Sequence, residues 1–137
     1  MSEPVFLDTV GLIALLNKDD SYHTIAAASF ERFGQEARPV ATTNLVLAEF
    51  ANGLSRTPLR TEACWLIREL HADRRSTVVY VDRELFDRGV ELYQARGDKY
   101  WGLVDCVSFE AMRSLGIRAA FTADRHFEQA GFQLLLR

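Results

Sequence analysis

The sequence has little cysteine, little proline and no long hydrophobic segment, and these shortages exclude several classes of protein. Its 137 residues include two cysteines, Cys64 and Cys106, with neither CxxC spacing nor the density of a disulfide-stabilised domain. They lie in segments with separate helical patterns, so we expect both to be ordinary core thiols. The longest apolar run, Val10 to Leu16, is far short of the roughly 20 residues that cross a bilayer. We therefore expect no membrane segment.

Positive charge is not in excess either. Lysine and arginine together number 16 against 19 aspartates and glutamates, which gives a net charge of -3. Bulk electrostatic binding of nucleic acid needs many basic side chains facing phosphates, so any nucleic-acid contact here must be local. Near the N-terminus, Glu3 and Asp8 stand where a secretory signal carries basic residues. We therefore expect a cytoplasmic protein.

What the sequence does contain is an alternation of short β-like runs and longer helical patterns. Its length and its hydrophobic fraction of 48% suit one domain over residues 1–137. Short apolar strands separated by helices predict an α/β domain, with a parallel sheet covered on both faces and right-handed crossovers. The predicted strands are Val5 to Leu7, Val40 to Thr42, Thr77 to Val81, Ala119 to Thr122 and Gln133 to Leu136.

Two consecutive predicted helices, Thr43 to Leu54 and Pro58 to His71, carry more apolar surface than one sheet face obviously needs. In the second, Thr57 is the expected N-cap and Pro58 the first helical residue. The apolar surface fits either the core or a groove or dimer interface that receives a helix. The residues that form it are Leu47, Phe50, Leu54, Trp65 and Leu66.

Four acidic residues fall where an α/β sheet gathers functional groups. Asp8 and Asp124 each follow a predicted strand, at the carboxyl end where open sheets bind ligands, although either could simply cap the next helix. Glu49 interrupts the apolar arc of its helix, so we expect it to leave water and to need a cation or hydrogen-bond donors. Asp105 lies in the first turn of a predicted helix, a position that the helix dipole also favours.

These four acids come from four separate strand–helix units, which a parallel sheet brings to one edge. Two carboxylates ~4 Å apart repel by about 4 kcal/mol at an effective dielectric constant near 20. Some of them must therefore protonate, or a metal must enter. With oxygen ligands only, the expected metal is Mg²⁺ or Mn²⁺ rather than Zn²⁺. The three histidines show no ligand spacing, and only His126 is near this predicted site.

The sequence resembles the PIN domain, and within it the VapC-type toxins of bacterial toxin–antitoxin pairs. The resemblance covers nearly the whole chain and implies a three-layer α/β/α fold with a mostly parallel sheet of four to five strands. It also implies a metal-dependent endoribonuclease that cuts RNA, forms a homodimer and is blocked by an antitoxin peptide. Four segments in family order carry it: Val5-Phe6-Leu7-Asp8-Thr9, Leu47-Ala48-Glu49-Phe50, Leu103-Val104-Asp105-Cys106 and Phe121-Thr122-Ala123-Asp124-Arg125-His126-Phe127.

The resemblance also implies roles for individual residues. The family's acidic metal-binding positions fall on Asp8, Glu49, Asp105 and Asp124, and Asp98 resembles an additional acid of some members. The Mg²⁺ or Mn²⁺ ion that they hold would activate a water for attack on an RNA phosphodiester. The sequence departs from the pattern after Asp8-Thr9, where a valine replaces the small hydroxyl residue of many relatives.

Residues close to these acids have open roles. Thr9 and Thr122 either orient a ligand or water, or cap a helix and pack locally. Tyr100 and Trp101 either stack on an RNA base or pack their loop against the sheet. Three cations either hold RNA phosphates or are plain solvated charges, namely Arg96, Lys99 and Arg125.

Two other functions fit an α/β domain with acids at strand ends. A receiver-like signalling domain accepts phosphate on an aspartate and needs a lysine beyond the fourth or fifth strand, but the only lysines are Lys18 and Lys99. After the third predicted strand, Asp82 caps a helix instead of serving as an acceptor. A PIN-like module that has lost catalysis would only bind partners, and the presence of all four acids disfavours that reading.

Overall fold

The computed structural model describes residues 2–137, which form five strands and seven helices. Within this part of the chain, no helix is both long enough and apolar enough to cross a membrane. In chain order, the elements are β1 Val5–Leu7, α1 Thr9–Leu16, α2 His23–Gln35, β2 Val40–Thr43, α3 Asn44–Gly53, α4 Arg60–Ala72, β3 Ser76–Val79, α5 Arg83–Ala95, α6 Leu103–Leu115, β4 Ala119–Phe121, α7 Arg125–Gln129 and β5 Gln133–Leu134.

The five strands form one parallel sheet in the order β3-β2-β1-β4-β5. In the middle of the sheet, Val5 of β1 lies opposite Val40 of β2 and Ala119 of β4. The predicted α/β class and parallel sheet are confirmed, and each predicted strand agrees with an observed one to within two residues. Receiver domains have the flavodoxin-like order 2-1-3-4-5, so the receiver alternative is wrong.

Helices cover both faces of this sheet. Helix α1 packs against α2 and α3, and α3 packs against α4, whereas α5 packs against α6 and α6 against α7. Right-handed crossovers place the two groups on opposite faces, because the chain moves one way from β1 to β3 and the other way from β3 to β5. The implied three-layer α/β/α fold is therefore confirmed, and β1, β2 and β4 are buried throughout.

The topology places a crevice at the carboxyl ends of the neighbouring strands β1 and β4. The chain leaves β1 toward one face of the sheet and leaves β4 toward the other, so their following segments diverge at a topological switch point. Asp8 directly follows β1, and Thr122 directly follows β4. The fold thus brings together two segments that are far apart in sequence.

Helix α1 lies unusually close to the sheet at Gly11. A methyl group added at this buried glycine would lie 2.0 Å from the carbonyl oxygen of Phe121 in β4. No side chain can therefore occupy this position while the helix stays where it is. The close approach fixes the height of α1 above β4, and with it the positions of Asp8 and Thr9 at the start of the helix.

The predicted start of the fourth helix is wrong. Helix α4 begins at Arg60, and its N-cap residue Leu59 makes no side-chain cap bond. Thr57 instead closes a turn, because its hydroxyl donates to the carbonyl of Leu54 and accepts the N–H of Leu59. These local bonds compete with the capping geometry that the Thr-Pro pair suggested.

The apolar surface on α3 and α4 belongs mainly to the core. Of its five predicted residues, Leu47, Phe50, Leu54 and Leu66 are buried. Trp65 alone among the five is exposed, at 60%, and it lines a surface pocket together with Leu66. A groove or dimer interface formed by this surface stays a prediction. The cysteine expectation holds for Cys106, which is buried, and is wrong for Cys64, which is exposed on α4 beside Trp65.

Candidate functional site

Asp8 is a buried carboxylate at the carboxyl edge of the sheet. It is 2% exposed and caps helix α1. Its Oδ2 accepts a hydrogen bond from the Thr122 hydroxyl at 2.8 Å and a long one from the Val10 N–H at 3.4 Å. The capping role and a ligand role are compatible, because both bonds reach the same oxygen. Among residues 2–137, Oδ1 has no hydrogen-bond donor.

Burial raises the pKa of Asp8 to about 7, well above its ordinary value of 3.8. The Thr122 hydrogen bond opposes this rise, whereas the negative charges of Asp105 and Asp124 add to it. The energetic problem is therefore the desolvation of an anion next to other anions. A bound cation would relieve both causes at once.

Asp105 and Asp124 meet on one side of the crevice through His126. The three side chains offer ligand atoms that all lie within 4.8 Å of one another. The His126 Nδ1 atom lies 3.0 Å from Asp105 Oδ2 and 3.5 Å from Asp124 Oδ1. From the sequence, His126 was expected to lie near the predicted site but showed no metal-ligand spacing, so this contact was not predicted.

Backbone groups hold the same two carboxylates. The Gly102 N–H donates to Asp105 Oδ2 at 3.3 Å, and the His126 N–H donates to Asp124 Oδ1 at 2.9 Å. Burial raises the pKa of Asp105, the charge of Asp124 adds to the rise, and the His126 contact opposes it. Both side chains are only partly buried, so they lie at the mouth of the crevice while Asp8 lies at its base.

The three aspartates share one arrangement, in which one oxygen is bonded to the protein and the other is free. Within the described chain, no donor contacts Oδ1 of Asp8, Oδ1 of Asp105 or Oδ2 of Asp124. Free carboxylate oxygens are the ligands that Mg²⁺ and Mn²⁺ prefer. Because the His126 Nδ1 faces a carboxylate, it acts there as a donor. The donor set therefore fits a hard divalent cation.

Glu49 reaches the edge of this site from helix α3, but its environment differs from the expected one. The side chain is exposed, so the expectation that Glu49 leaves water is wrong. Helix α3 buries Val46, Leu47 and Phe50 on its inner face and turns Glu49 outward. The Thr9 hydroxyl donates to Glu49 Oε1 at 2.6 Å and thereby holds the carboxylate beside the residue that follows Asp8.

Hydrogen bonds of Thr122 link the segments that follow β1 and β4. Its hydroxyl donates to Asp8 Oδ2 and accepts the N–H of Asp124 at 3.0 Å. Like Thr9, it is buried and orients a carboxylate. The open role of both threonines is thus resolved in favour of positioning.

Three other residues near the predicted site lie outside the carboxylate cluster. Asp98 is exposed and both its oxygens contact the Arg96 guanidinium at 3.0 Å, which lowers the pKa of Asp98. Its expected place as an additional acid is therefore not supported by the geometry. Trp101 is 5% exposed and packs its loop, which removes it as a stacking surface. Arg125 is exposed at the start of α7.

The signal for His126 lies in the helix start that contains it. Asp124 caps the short helix α7 with its side chain, and the N–H that it accepts belongs to His126. An Asp-x-His sequence after a strand therefore folds the imidazole back toward the capping carboxylate. Ligand spacing along the sequence could not reveal this, because Asp105, the second partner, comes from another helix.

Comparison with protein families matches residues 5–133 to the PIN domain. Among curated proteins, the 23S rRNA-specific endonuclease VapC20 of Mycobacterium tuberculosis strain CDC 1551 / Oshkosh is 33% identical over 132 residues. The alignment covers 93% of this chain and 95% of that protein. The VapC20 protein of strain ATCC 25618 / H37Rv matches with the same identity and coverage.

Solved structures of similar fold include crystal structures of toxins and toxin–antitoxin complexes. The Mycobacterium tuberculosis VapC20 structure, described as a Sarcin-Ricin loop cleaving toxin, has a TM-score of 0.79 and 29% identity over 93% of this chain and 95% of that one. The Rickettsia felis VapBC2 complex with a promoter DNA fragment has a TM-score of 0.68 and 15% identity, with 96% of each chain covered. At the lower identity, the likeness shows the fold alone.

Proposed function

The chain belongs to the PIN domain family, and from that premise we propose that it is a metal-dependent endoribonuclease, the toxin of a toxin–antitoxin pair. The observation that carries the proposal is the buried Asp8, close enough to Asp105 and Asp124 for their charges to raise its pKa, with one oxygen of each aspartate free of protein hydrogen bonds. In this proposal, residues 1–137 act as one domain in the cytoplasm. A module without catalysis does not account for three aspartates gathered at one edge of the sheet, one of them buried.

The proposed mechanism assigns the chain's residues to holding and orienting. Asp8, Asp105 and Asp124 would hold Mg²⁺ or Mn²⁺, and Glu49 would contact the ion or its water from the exposed side. When bound, the ion lowers the pKa of a water and neutralises charge on the scissile phosphate. The hydroxyl of Thr122 keeps the free oxygen of Asp8 turned toward the crevice.

The proposed partners follow from the relatives. VapC20 is named for action on 23S rRNA, and the Rickettsia felis structure contains a VapBC2 complex. We therefore propose an RNA substrate, with 23S rRNA as the first to test, and a cognate antitoxin that blocks the crevice. The proposal also includes a homodimer, as is usual for toxins of this kind.

The proposed function is tested with purified protein and RNA. We expect 23S rRNA to be cleaved with Mg²⁺ or Mn²⁺ and to remain intact in EDTA. Hydrolysis by an activated water would leave a 5′-phosphate and a 3′-hydroxyl, whereas attack by the RNA 2′-hydroxyl would leave a 2′,3′-cyclic phosphate and a 5′-hydroxyl. Mapping both ends of each product measures this difference.

A matched acid provides the control for that test. Asp98→Asn removes an exposed carboxylate outside the cluster and should leave cleavage within about two-fold of wild type. Asp105→Asn removes one inside the cluster and should abolish it. Cleavage that continues in EDTA, or that ends in cyclic phosphates, contradicts the metal mechanism.

We expect His126 to support cleavage by holding the Asp105 carboxylate in position. His126→Ala removes the donor to Asp105 Oδ2, so we expect kcat/KM to fall by about 10- to 100-fold and the half-saturating Mn²⁺ concentration to rise. His126→Asn keeps an N–H donor at a similar distance from the backbone and should recover most of this loss. Metal titrations of cleavage by the three proteins measure both quantities. Equal impairment in the two variants would exclude a positioning role.

A further inference from the structure

Tyr100 projects into solvent beside the crevice. It is 95% exposed, more than any other large hydrophobic side chain in the described chain. The exposed tyrosine Tyr80, at 65%, has a hydrogen-bonding partner in His71, whereas no side chain within residues 2–137 forms a hydrogen bond or ring contact with Tyr100. Single exposed aromatic side chains are common on protein surfaces, so the position of Tyr100 beside the carboxylate cluster, rather than its exposure alone, marks it as a contact for another molecule.

The loop that carries Tyr100 is held on both sides. Before it, the N–H of Lys99 donates to the carbonyl of Arg96 at 3.0 Å. After it, Trp101 is buried, donates its indole N–H to Gln129 and packs edge-on against Phe109 at 5.1 Å. The Arg96 guanidinium covers the Trp101 ring at 5.1 Å. The neighbours are therefore fixed in place, and Tyr100 alone is presented outward.

The same loop leads directly into the carboxylate cluster. Gly102, two residues after Tyr100, donates its N–H to Asp105 Oδ2. Two residues of chain span at most about 7 Å, so Tyr100 rises from the rim of the crevice. Two cations neighbour these residues in the sequence, namely Lys99 before Tyr100 and the exposed Arg125 after Asp124, and they supply positive charge for the phosphates of a bound RNA.

We propose that Tyr100 is a stacking platform for one unpaired base of the RNA substrate, next to the phosphate held in the crevice. An exposed aromatic ring close to cationic side chains is a common contact for single-stranded RNA, since every base has a face that can stack. The identity of the ligand as RNA rests on the proposed ribonuclease function. An antitoxin side chain on Tyr100 is the competing occupant, and the binding test separates the two.

The experiment measures RNA affinity without cleavage. Fluorescence anisotropy of a labelled single-stranded RNA containing the mapped 23S rRNA cut site is recorded in EDTA and low salt. We expect Tyr100→Ala to weaken binding by about ten-fold and Tyr100→Phe, which keeps the ring, to bind like wild type. Trp65→Ala is the matched control, because Trp65 is an exposed aromatic near Val40 and Ser76 at the amino ends of the strands. It should leave the affinity unchanged.

A scan with abasic nucleotides identifies the stacked base. One position should exist where loss of the base weakens wild-type binding by about ten-fold and leaves Tyr100→Ala binding unchanged, as in a double-mutant cycle. Equal affinities of wild type and Tyr100→Ala, or an equal loss in Trp65→Ala, would overturn the inference. If wild type cleaves RNA and Tyr100→Ala binds RNA like wild type, the ribonuclease function stands and the inference about Tyr100 fails. If binding depends on Tyr100 but no cleavage occurs, the stacking role stands and the ribonuclease function fails. No RNA binding in EDTA overturns the inference about Tyr100.

Discussion

Replacing Asp8 with asparagine will abolish RNA cleavage and raise the stability of the metal-free protein at pH 8. The amide oxygen can take the place of Oδ2 and still accept from Thr122 and Val10. The amide nitrogen then replaces the free anionic oxygen that faces Asp105 and Asp124. Cleavage should fall by more than the 10- to 100-fold typical of residues that only orient metal ligands.

The pH dependence of this stabilisation follows from the pKa of Asp8. In the unfolded chain the group titrates near 3.8, and in the folded protein at about 7. Between these values the folded state binds more protons at this site, so stability falls as the pH rises. The penalty is absent below about pH 4 and complete above about pH 7. It amounts to about 4 kcal/mol, at roughly 1.4 kcal/mol per unit of pKa.

Thermal unfolding of wild type and Asp8→Asn in EDTA at pH 4 and pH 8 measures the effect. The Tm difference should be small at pH 4 and about 10 to 15 °C at pH 8. Added Mg²⁺ or Mn²⁺ should stabilise wild type at pH 8 and leave the variant unaffected, because binding to the folded state alone raises stability. A variant that is less stable than wild type at pH 8 contradicts the desolvation argument.

Gly11→Ala should be among the most destabilising single substitutions in the chain. Its methyl group would lie 2.0 Å from a backbone oxygen and 2.6 Å from the ring of Phe121. Because a carbonyl in the middle of a sheet cannot rotate away, α1 would have to move off β4. We expect a loss of about 3 kcal/mol or more in the free energy of unfolding. The shift would also separate Asp8 from Thr122, so cleavage should fall with it.

Gly34→Ala provides a matched control with the opposite sign. Gly34 lies in the last turn of α2, and a methyl group there meets no atom within 4 Å. Alanine favours the helix over glycine by up to about 1 kcal/mol, so this variant should be slightly more stable than wild type. Urea unfolding of both variants measures the two differences. A tolerated Gly11→Ala would show that α1 is not constrained by the contact with β4.

The fold could be predicted because its signals are local. Each strand is a short apolar run, and the alternation with helices determines a parallel sheet with its carboxyl ends at one edge. The start of α4 could not be predicted in the same way. Thr57 has the residue type of an N-cap, but its hydroxyl bonds to Leu54 and Leu59 in a turn, and this competition depends on the path of the chain.

The positions of the carboxylates could be predicted from the sequence, whereas their burial and hydrogen-bond partners could be predicted less well. Asp8, Asp105 and Asp124 meet at the predicted edge, because strand ends and helix starts fix where they lie. The predicted burial of Glu49 was wrong. A helical wheel gives the angle of a side chain around the helix axis, but it does not show how much of the helix surface the sheet covers. His126 was missed because Asp105, the residue that it contacts, is 21 residues away in the sequence.

The hydrogen bond between Thr122 and Asp8 joins residues that are 114 positions apart. A chain still attached to the ribosome and complete only through β3 has Asp8 and Glu49 but lacks Asp105, Asp124 and the strand that aligns them. Catalytic geometry can arise only when β4 enters the sheet beside β1. A ribonuclease built in this order stays inert until the ribosome has made the chain through β4 and the segment that follows it.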